Sequence, residues 1–212
     1  MNKKTYYITF CALFAAVGVA LNLLSSAMPR VDTFGRISLV YAFCFLAGIM
    51  LGPYLGGATA ALADFLPAII FPEGPWMPLI TLSNGVMAML AGLLYKKINS
   101  DKISVKLTMI AICSFVFCTL GLTAAGESLL YNMGMQAYYP TTTMLVNAGL
   151  PLYLANVVRK ACTQWFWLLL NTLLTFFILK SGSLVKYLNR KKAQMQRAEG
   201  NAGASATIKK NK

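Results

Sequence analysis

Cationic side chains near predicted helix ends are the residues of this sequence best suited to hold a ligand. Arg30 and Arg36 flank one polar segment, and Arg159 and Lys160 lie near the start of the last apolar run. Guanidinium and ammonium groups pair with carboxylates and phosphates through charge-assisted hydrogen bonds. These positions predict an anion-binding site at one end of a helical bundle. Long cationic side chains at helix ends also snorkel to lipid phosphates, and that alternative stays open.

Aromatic and amide side chains supplement these cations. The aromatic candidates are Trp76, Tyr131, Tyr138 and Tyr139. The amide candidates are Asn84, Asn147 and Gln164. Aromatic faces could stack on a flat heterocycle, while amides could read its donors and acceptors. Tyrosine and tryptophan are also typical of the interfacial belt of a membrane protein, which is the competing interpretation.

Two polar residues fall inside apolar runs. Asp64 suggests a proton relay, because an acid within a membrane span is costly and is therefore often functional. No second membrane acid is available to partner it, so we expect a structural hydrogen-bonding role and keep a functional one as the alternative. Asn171 lies deep in the last run, where we expect interhelical hydrogen bonding rather than ligand contact.

The residue types present in the sequence argue against an enzyme. The sequence has no histidine, which excludes HExxH metal sites and Ser/His/Asp triads, and it has no Walker A pattern. Its six carboxylates are scattered, and its five cysteines are isolated and mostly lie within apolar runs, as packing residues would. We therefore predict no catalytic residue, no metal site and no cofactor.

Composition identifies the class of protein. The 212 residues are 58% hydrophobic and 12% charged, and the mean hydropathy of +0.62 exceeds that of an ordinary soluble domain. An all-α integral membrane protein is predicted. A net charge of +13 would suggest nucleic-acid binding in a soluble protein, but in a membrane protein the placement of the charges decides their role. No nucleic-acid partner is predicted.

The segment from Arg36 to Pro78 organises the predicted fold. Small residues and one acid recur at every fourth position, namely Gly48, Gly52, Gly56, Ala60 and Asp64. Such spacing allows helix backbones to approach closely in lipid. Gly52 tolerates a sharp bend, and Pro53 suits the first turn of a new helix. The pattern predicts a tight transmembrane hairpin.

Six helices are predicted in all. The four outside the hairpin span about residues 5–24, 79–95, 103–125 and 152–180. Residues 126–151 are expected to form a long polar and aromatic connection. The resulting division is a six-helix transmembrane substrate-binding domain over 1–180 and a basic, disordered cytoplasmic tail over 181–212.

The basic residues predict the orientation. With six spans, both termini and the connections after the second and fourth helices share one side. That side collects all but four of the 19 basic residues. By the positive-inside rule it is cytoplasmic. The connections after the first, third and fifth helices then face outward.

The first helix carries a small-residue face. Ala12, Ala16 and Ala20 are spaced by four residues and so lie on one side of the helix. A flat alanine face permits close docking of another helix, although small residues are also common inside packed bundles.

Taken together, these features resemble the substrate-binding S component of energy-coupling factor (ECF) vitamin transporters, and the folate-type S components in particular. The matching motifs are Leu21-Asn22, Arg36-Ile37-Ser38, Ala47-Gly48, Gly52-Pro53, Gly56, Asp64, Pro75, Pro78, Thr81-Leu82-Ser83 and Arg159. They cover most of residues 5–180. The resemblance implies a multi-pass protein of a prokaryotic plasma membrane that binds folate or a related anionic heterocycle outside the cell.

The resemblance also implies partners. A membrane coupling subunit would dock on the alanine face, and two cytoplasmic ATPases would supply energy. Two other classes remain possible at this stage: a small stand-alone secondary transporter, which would need an internal repeat or coupled acids, and a structural membrane protein without an outer pocket. An S component for another vitamin or precursor is a further alternative.

Overall fold

The computed structural model describes residues 3–27, 38–71, 75–135 and 139–181. All regular structure in these ranges is helical, in agreement with the all-α prediction. The helices are α1 (Lys3–Ala27), α2 (Val40–Leu51), α3 (Pro53–Ile70), α4 (Pro78–Lys97), α5 (Ile103–Ser114), α6 (Ala124–Asn132), α7 (Pro140–Asn147) and α8 (Leu152–Lys180). A π-helical segment, Phe115–Thr123, joins α5 to α6 without a break.

Within the described ranges, five helical stretches are long and apolar enough to cross a bilayer. They are Ile8–Ala27, Pro53–Ile70, Pro78–Lys97, Ile103–Asn132 and Leu152–Lys180. The 12 residues of α2 are also apolar, but they rise only about 18 Å against a hydrocarbon core of about 30 Å. The structure therefore supports a multi-pass membrane protein with five candidate spans. The sixth span and the side of the two termini remain predictions.

The predicted tight turn between two helices at Gly52-Pro53 is confirmed. Gly52 alone connects α2 to α3, with a φ of +91° that favours glycine, and Pro53 occupies the first position of α3. The amide of Gly52 donates to the carbonyl of Gly48 at 3.0 Å, and the amide of Gly56 donates to Gly52 at 2.8 Å. Hydrogen bonding thus runs through the turn.

Close backbone approach holds the hairpin against α4. A Cβ atom added at Gly92 would lie 2.6 Å from the carbonyl oxygen of Gly48, and one added at Gly48 would overlap the backbone of Ala88. Within the hairpin, a Cβ at Gly56 would lie 2.6 Å from the carbonyl oxygen of Ala47. Glycine is therefore required at these crossings, as the four-residue spacing predicted.

The predicted loop over 126–151 is partly wrong. The helix that was expected to end near residue 125 continues to Asn132, and Pro140–Asn147 forms the additional helix α7. The polar character of Glu127 suggested a loop, but its carboxylate is paired with two cations of α8 and so tolerates a helical, largely buried position.

The chain divides into two compact units, Met1–Thr175 and Phe176–Lys212. The first unit contains α1 to α7 and most of α8. In the second, the described residues are the end of α8 and Ser181. The predicted cytoplasmic tail otherwise lies outside the described residues, and the domain division at residue 180 stays a prediction.

Candidate functional site

A hydrogen-bonded group surrounds the acid of α3. Thr81 Oγ1 donates to Asp64 Oδ2 at 2.5 Å, and Asn84 Nδ2 donates to Asp64 Oδ1 at 2.9 Å. Both donors lie on α4, so the carboxylate ties two neighbouring spans together. Asp64 thus forms hydrogen bonds to side chains of the neighbouring helix rather than to backbone groups. We call Asp64, Trp76, Thr81 and Asn84 the Asp64 cluster.

Trp76 is attached to this cluster. Its Nε1 donates to Thr81 Oγ1 at 2.9 Å, and its ring meets the ring of Phe65 edge to face, with centroids 5.1 Å apart. The side chain nevertheless stays 45% exposed. An indole held in place at one edge with part of its surface free can stack on a flat ligand.

A small cleft opens beside the carboxylate. Asn22 of α1, Phe43 and Cys44 of α2, Asp64 of α3 and Asn84 of α4 are among its lining residues. Its accessible space is about that of one water molecule. A heterocycle could enter only if the helices around the cleft separated.

A second polar group joins α6 to α8. Glu127 accepts a hydrogen bond from Arg159 Nη2 at 2.5 Å and another from Lys160 Nζ at 2.9 Å. The three side chains are 13%, 7% and 1% exposed. Two cations therefore share one carboxylate in a nearly buried place. We call Glu127, Tyr139, Arg159 and Lys160 the Glu127 cluster.

Tyr139 completes the Glu127 cluster. Its ring centroid lies 4.2 Å from the guanidinium carbon of Arg159, a cation–π contact. Tyr131 is also buried, at 5% exposure. Arg159 Nε is buried and has no hydrogen-bond partner among the described residues. The guanidinium thus keeps donor capacity beyond its bond to Glu127.

A network of amides and hydroxyls links α6, α7 and α8. Asn156 Nδ2 donates to Ser128 Oγ at 3.0 Å, and Thr142 Oγ1 donates to Asn156 Oδ1 at 3.1 Å, so α6, α7 and α8 are linked. Asn156 was not predicted as a site residue from the sequence. The available signal was its spacing of three and four residues from Arg159 and Lys160, which places all three on one side of α8.

Gln164 hydrogen-bonds within the protein. Its Oε1 accepts a hydrogen bond from Tyr41 Oη at 2.9 Å, and the same hydroxyl lies 2.8 Å from Thr119 Oγ1. The residue thus connects α8 to α2 and to the π-helical segment. Nothing in the local sequence marked Tyr41, whose partners lie 78 and 123 residues away.

Asn171 forms the interhelical bonds that were predicted for it. Its Nδ2 donates to the carbonyl of Ser38 at 2.8 Å, and its Oδ1 accepts from the amide of Ala42 at 3.1 Å. The amide group therefore satisfies backbone groups at the start of α2, where a helix has unpaired amides. This role is structural.

The π-helical segment lies between the two clusters along the chain. The carbonyl of Cys118 accepts hydrogen bonds from Ser83 Oγ at 3.1 Å and from Thr123 Oγ1 at 3.0 Å. Tyr153 Oη donates to the carbonyl of Leu120 at 3.2 Å. A π-helix displaces carbonyls from the usual ladder, and π-helical turns occur often at functional sites. Ser83 adjoins Asn84, so α4 links the Asp64 cluster to this segment.

The structure thus gathers the predicted site residues into separate groups. Trp76 and Asn84 meet around Asp64, and Tyr139 and Arg159 meet at the Glu127 cluster. Asn147 is exposed at the end of α7. Arg30, Arg36 and Tyr138 lie outside the described residues.

The alanine face of α1 is accessible. Ala12, Ala16 and Ala20 are all exposed, whereas Gly18 on the opposite side of the helix is buried. A Cβ added at Gly18 would lie 2.6 Å from Cβ of Ala63 on α3. The glycine side therefore faces the bundle, and the alanines face away from it.

Three comparisons describe what the chain is similar to. The family model described as "ECF-type riboflavin transporter, S component" matches residues 2–179. The folate transporter FolT of Clostridium novyi (strain NT) is 35% identical over 112 residues, which cover 53% of this chain and 61% of that relative. The match therefore spans less than two thirds of the relative's length.

The fold has a solved counterpart. A structure described as "Crystal structure of FolT bound with folic acid" superposes with a TM-score of 0.61 at 20% sequence identity, and the match covers 84% of this chain and 93% of that one. At this identity the likeness concerns the fold. It agrees with the helical membrane architecture found here.

Proposed function

Since the chain belongs to the S-component family of ECF-type transporters, whose members are transporter subunits rather than enzymes, we propose that it is the substrate-binding subunit of an ECF-type ABC importer. It captures a vitamin outside a prokaryotic cell. It then delivers the vitamin together with a membrane coupling subunit and two cytoplasmic ATPases. The proposed substrate is folate or a related anionic heterocycle.

The excess of cations in the Glu127 cluster supports an anionic substrate. Arg159 and Lys160 share the single carboxylate of Glu127, and Arg159 Nε has no partner among the described residues. A buried cation without full pairing is costly, and a ligand carboxylate would relieve that cost. The glutamyl end of folate carries such carboxylates.

Other residues could bind the aromatic part of the proposed ligand. Trp76 is held by Thr81 and keeps an exposed face, and Tyr139 covers the guanidinium of Arg159. A ligand with a flat ring at one end and carboxylates at the other matches this division between stacking and charge. The name of the curated relative, a folate transporter, supports the same substrate.

Titration calorimetry on the full chain in detergent tests the substrate class. Folic acid is compared with its dimethyl ester, which keeps the pteridine ring but neutralises both glutamyl carboxylates. We expect folic acid to bind at least about tenfold more tightly than the ester, since bonds to charged groups contribute about 1.5–3 kcal/mol. Equal binding of the two compounds would contradict an anion-binding role for the Glu127 cluster.

Riboflavin is the second candidate, because the matching family model is described by that vitamin. Its isoalloxazine ring could stack on Trp76, but riboflavin has no carboxylate to engage Arg159 and Lys160. Including riboflavin in the same titration separates the two candidates. Tight binding of riboflavin with weak binding of folic acid would favour the flavin.

Coupling is proposed to occur at α1. The exposure of Ala12, Ala16 and Ala20 supports docking of a coupling subunit, since three small side chains in a row allow a second helix to approach closely. The five candidate spans support a multi-pass position in the lipid bilayer. The plasma membrane as the location, six spans and cytoplasmic termini belong to the same proposal.

A further inference from the structure

Four lysines gather where α4 ends and α5 begins. Lys96 and Lys97 belong to the last turn of α4, and Lys102 and Lys106 lie four residues apart at the start of α5. We call these four residues the lysine patch. Asp101 is the one acid between residues 95 and 106 of the sequence. Positive charge therefore predominates at this end of the two helices.

The lysine patch is accessible. Lys96, Lys97 and Lys102 are exposed, and Lys106 is half-buried. Lys106 Nζ donates to the carbonyl oxygen of Tyr95 at 3.3 Å and lies 4.9 Å from the centroid of the Tyr95 ring. The ion pairs found among the described residues include none of these lysines. Within that part of the chain, the charge of the patch is thus not paired with an acid.

The patch lies where candidate membrane spans end. The span Pro78–Lys97 ends here, and the span Ile103–Asn132 begins here. A Cβ atom added at Gly52 would lie 4.0 Å from Lys96 Nζ, so the turn between α2 and α3 reaches the same end of the helices. The ends of membrane spans lie at the level of the lipid headgroups, where lysine and tyrosine are typical. The position of the patch therefore brings its ammonium groups close to lipid phosphates.

Apolar side chains adjoin the patch further along both helices. Leu93, four residues before Lys97, is exposed, and so is Met109, three residues after Lys106. Residues three or four positions apart share one side of a helix. A cationic end next to exposed apolar side chains fits an amphiphile with an anionic headgroup and acyl chains. A soluble anion would use the lysines alone.

We propose that the lysine patch binds the headgroup of an anionic phospholipid, with the acyl chains lying along α4 and α5. Lys97 and Lys102 attract the phosphate through their charge. Lys106 donates one of its three ammonium hydrogens to Tyr95 and keeps the others for the phosphate. This inference concerns a lipid partner and does not depend on the identity of the transported vitamin.

Native mass spectrometry of the full chain tests the inference. The protein is titrated in detergent with phosphatidylglycerol or with phosphatidylcholine of the same acyl chains, and the dissociation constant of the first bound lipid is measured. The two lipids differ only in their headgroups. Lys97→Gln and Lys102→Gln each remove one exposed cation of the patch, and Asp101→Asn removes the exposed acid beside it. Lys180→Gln, at an exposed position at the end of α8, is the matched control.

We expect the wild type to prefer phosphatidylglycerol at least about fivefold. Lys97→Gln and Lys102→Gln should each weaken its binding about fivefold, since a lysine near an anionic membrane surface contributes about 1 kcal/mol. Asp101→Asn should instead strengthen the binding, because it removes a charge that repels the headgroup. Damage to the fold would not produce such a gain. Lys180→Gln should bind phosphatidylglycerol as the wild type does.

Equal binding of the two lipids by the wild type would overturn the inference, as would an equal loss of binding in Lys180→Gln. Displacement of the lipid by inorganic phosphate at constant ionic strength would also overturn it, by assigning the patch to a soluble anion. If Lys97→Gln and Lys102→Gln bind phosphatidylglycerol normally but no longer copurify with the coupling subunit, the patch contacts a protein instead. Binding of folic acid should be unchanged in all four variants, so failure of this inference would leave the proposed function standing.

Discussion

Arg159 on α8 and Glu127 on α6 form an ion pair of 2.5 Å across 32 residues of sequence. Lys160 contacts the other oxygen of the same carboxylate, so the cluster contains one more cation than anion. If a ligand carboxylate completes this cluster, it competes with Glu127 for the same two cations. Removing a cation should therefore weaken the binding of an anionic ligand. Removing the charge of Glu127 should instead increase the preference for such a ligand.

Replacing Arg159 with alanine should weaken the binding of folic acid by roughly 1.5 to 3 kcal/mol, the range for charge-assisted hydrogen bonds. Binding of the uncharged dimethyl ester should change much less, because the ester does not use the guanidinium. Calorimetry with both ligands measures the difference. A loss of equal size for both compounds would indicate damage to the fold rather than to an anion site.

Glu127→Gln is the matched variant for this prediction. It keeps the shape of the side chain but removes the competing charge, so the preference for folic acid over its ester should increase. The variant should also unfold at a lower temperature, since breaking a buried ion pair leaves cations uncompensated, at a cost of about 3–5 kcal/mol. An unchanged preference in Glu127→Gln would argue that the cluster only links α6 to α8.

Some of these features depend on local sequence signals, and others depend on contacts between distant residues. The turn at Gly52-Pro53 and the crossings at Gly48 were predictable because glycine spacing and proline position are local signals. The helical state of residues 126–132 was not, because Glu127 is a favourable helix residue here only through cations 32 and 33 residues away. In such a segment, local polarity indicates a loop, whereas pairing with distant cations allows a helix.

In the candidate site, too, some contacts were predictable from the sequence and others were not. Asn171 was predictable, since an amide deep in a membrane helix must find a partner. The bond between Tyr41 and Gln164 was not, because it joins residues 123 positions apart on different helices. Residue type alone predicts a ligand contact for Gln164, and the structure adds a partner within the protein that no local signal marked.

Thr81→Val should release Trp76. The variant removes the acceptor of the indole N–H while keeping the shape of the side chain, so the ring loses its bond at one edge. Binding of folic acid should weaken by about two- to tenfold, the effect of one neutral hydrogen bond. Fluorescence in a background where Trp165 and Trp167 are phenylalanine should show a change in Trp76 emission.

Thr108→Val, at an exposed position of α5, is the control for this substitution. It should alter neither the emission of Trp76 nor the affinity for folic acid. If Thr81→Val behaves like this control, the hydrogen bond does not position the indole.

Substitutions on the alanine face should abolish transport but leave ligand binding nearly intact. Replacing Ala12 and Ala16 together with tryptophan should leave ligand affinity nearly intact, because both side chains are exposed and point away from the bundle. Copurification with the coupling subunit and uptake into cells should be lost, since dispersion contacts weaken sharply when helices are held about 1 Å apart. Affinity, complex formation and uptake are measured on the same variant.

Val17→Trp adds the same bulk elsewhere on α1, at a position that is 49% exposed. This control should retain complex formation. Normal uptake by the double variant would exclude docking at the alanine face. Loss of ligand binding in the double variant would instead place these alanines within the folded core.

Orientation can be tested by cysteine labelling in a cysteine-free background. Because most lysines and arginines fall on the side of the termini, a cysteine at Asp101 should be shielded from an impermeant reagent in intact cells. A cysteine at Asn147, exposed at the end of α7, should be labelled. The reverse pattern would overturn the predicted orientation.

We propose that this S component carries folate, and mass spectrometry of the small molecule that copurifies with the full chain can identify its ligand. The protein is extracted from cells grown with both folate and riboflavin, then denatured to release its ligand. We expect a folate in an amount approaching one per protein. A flavin in that amount, or a protein that is empty and does not bind added folic acid, would contradict it.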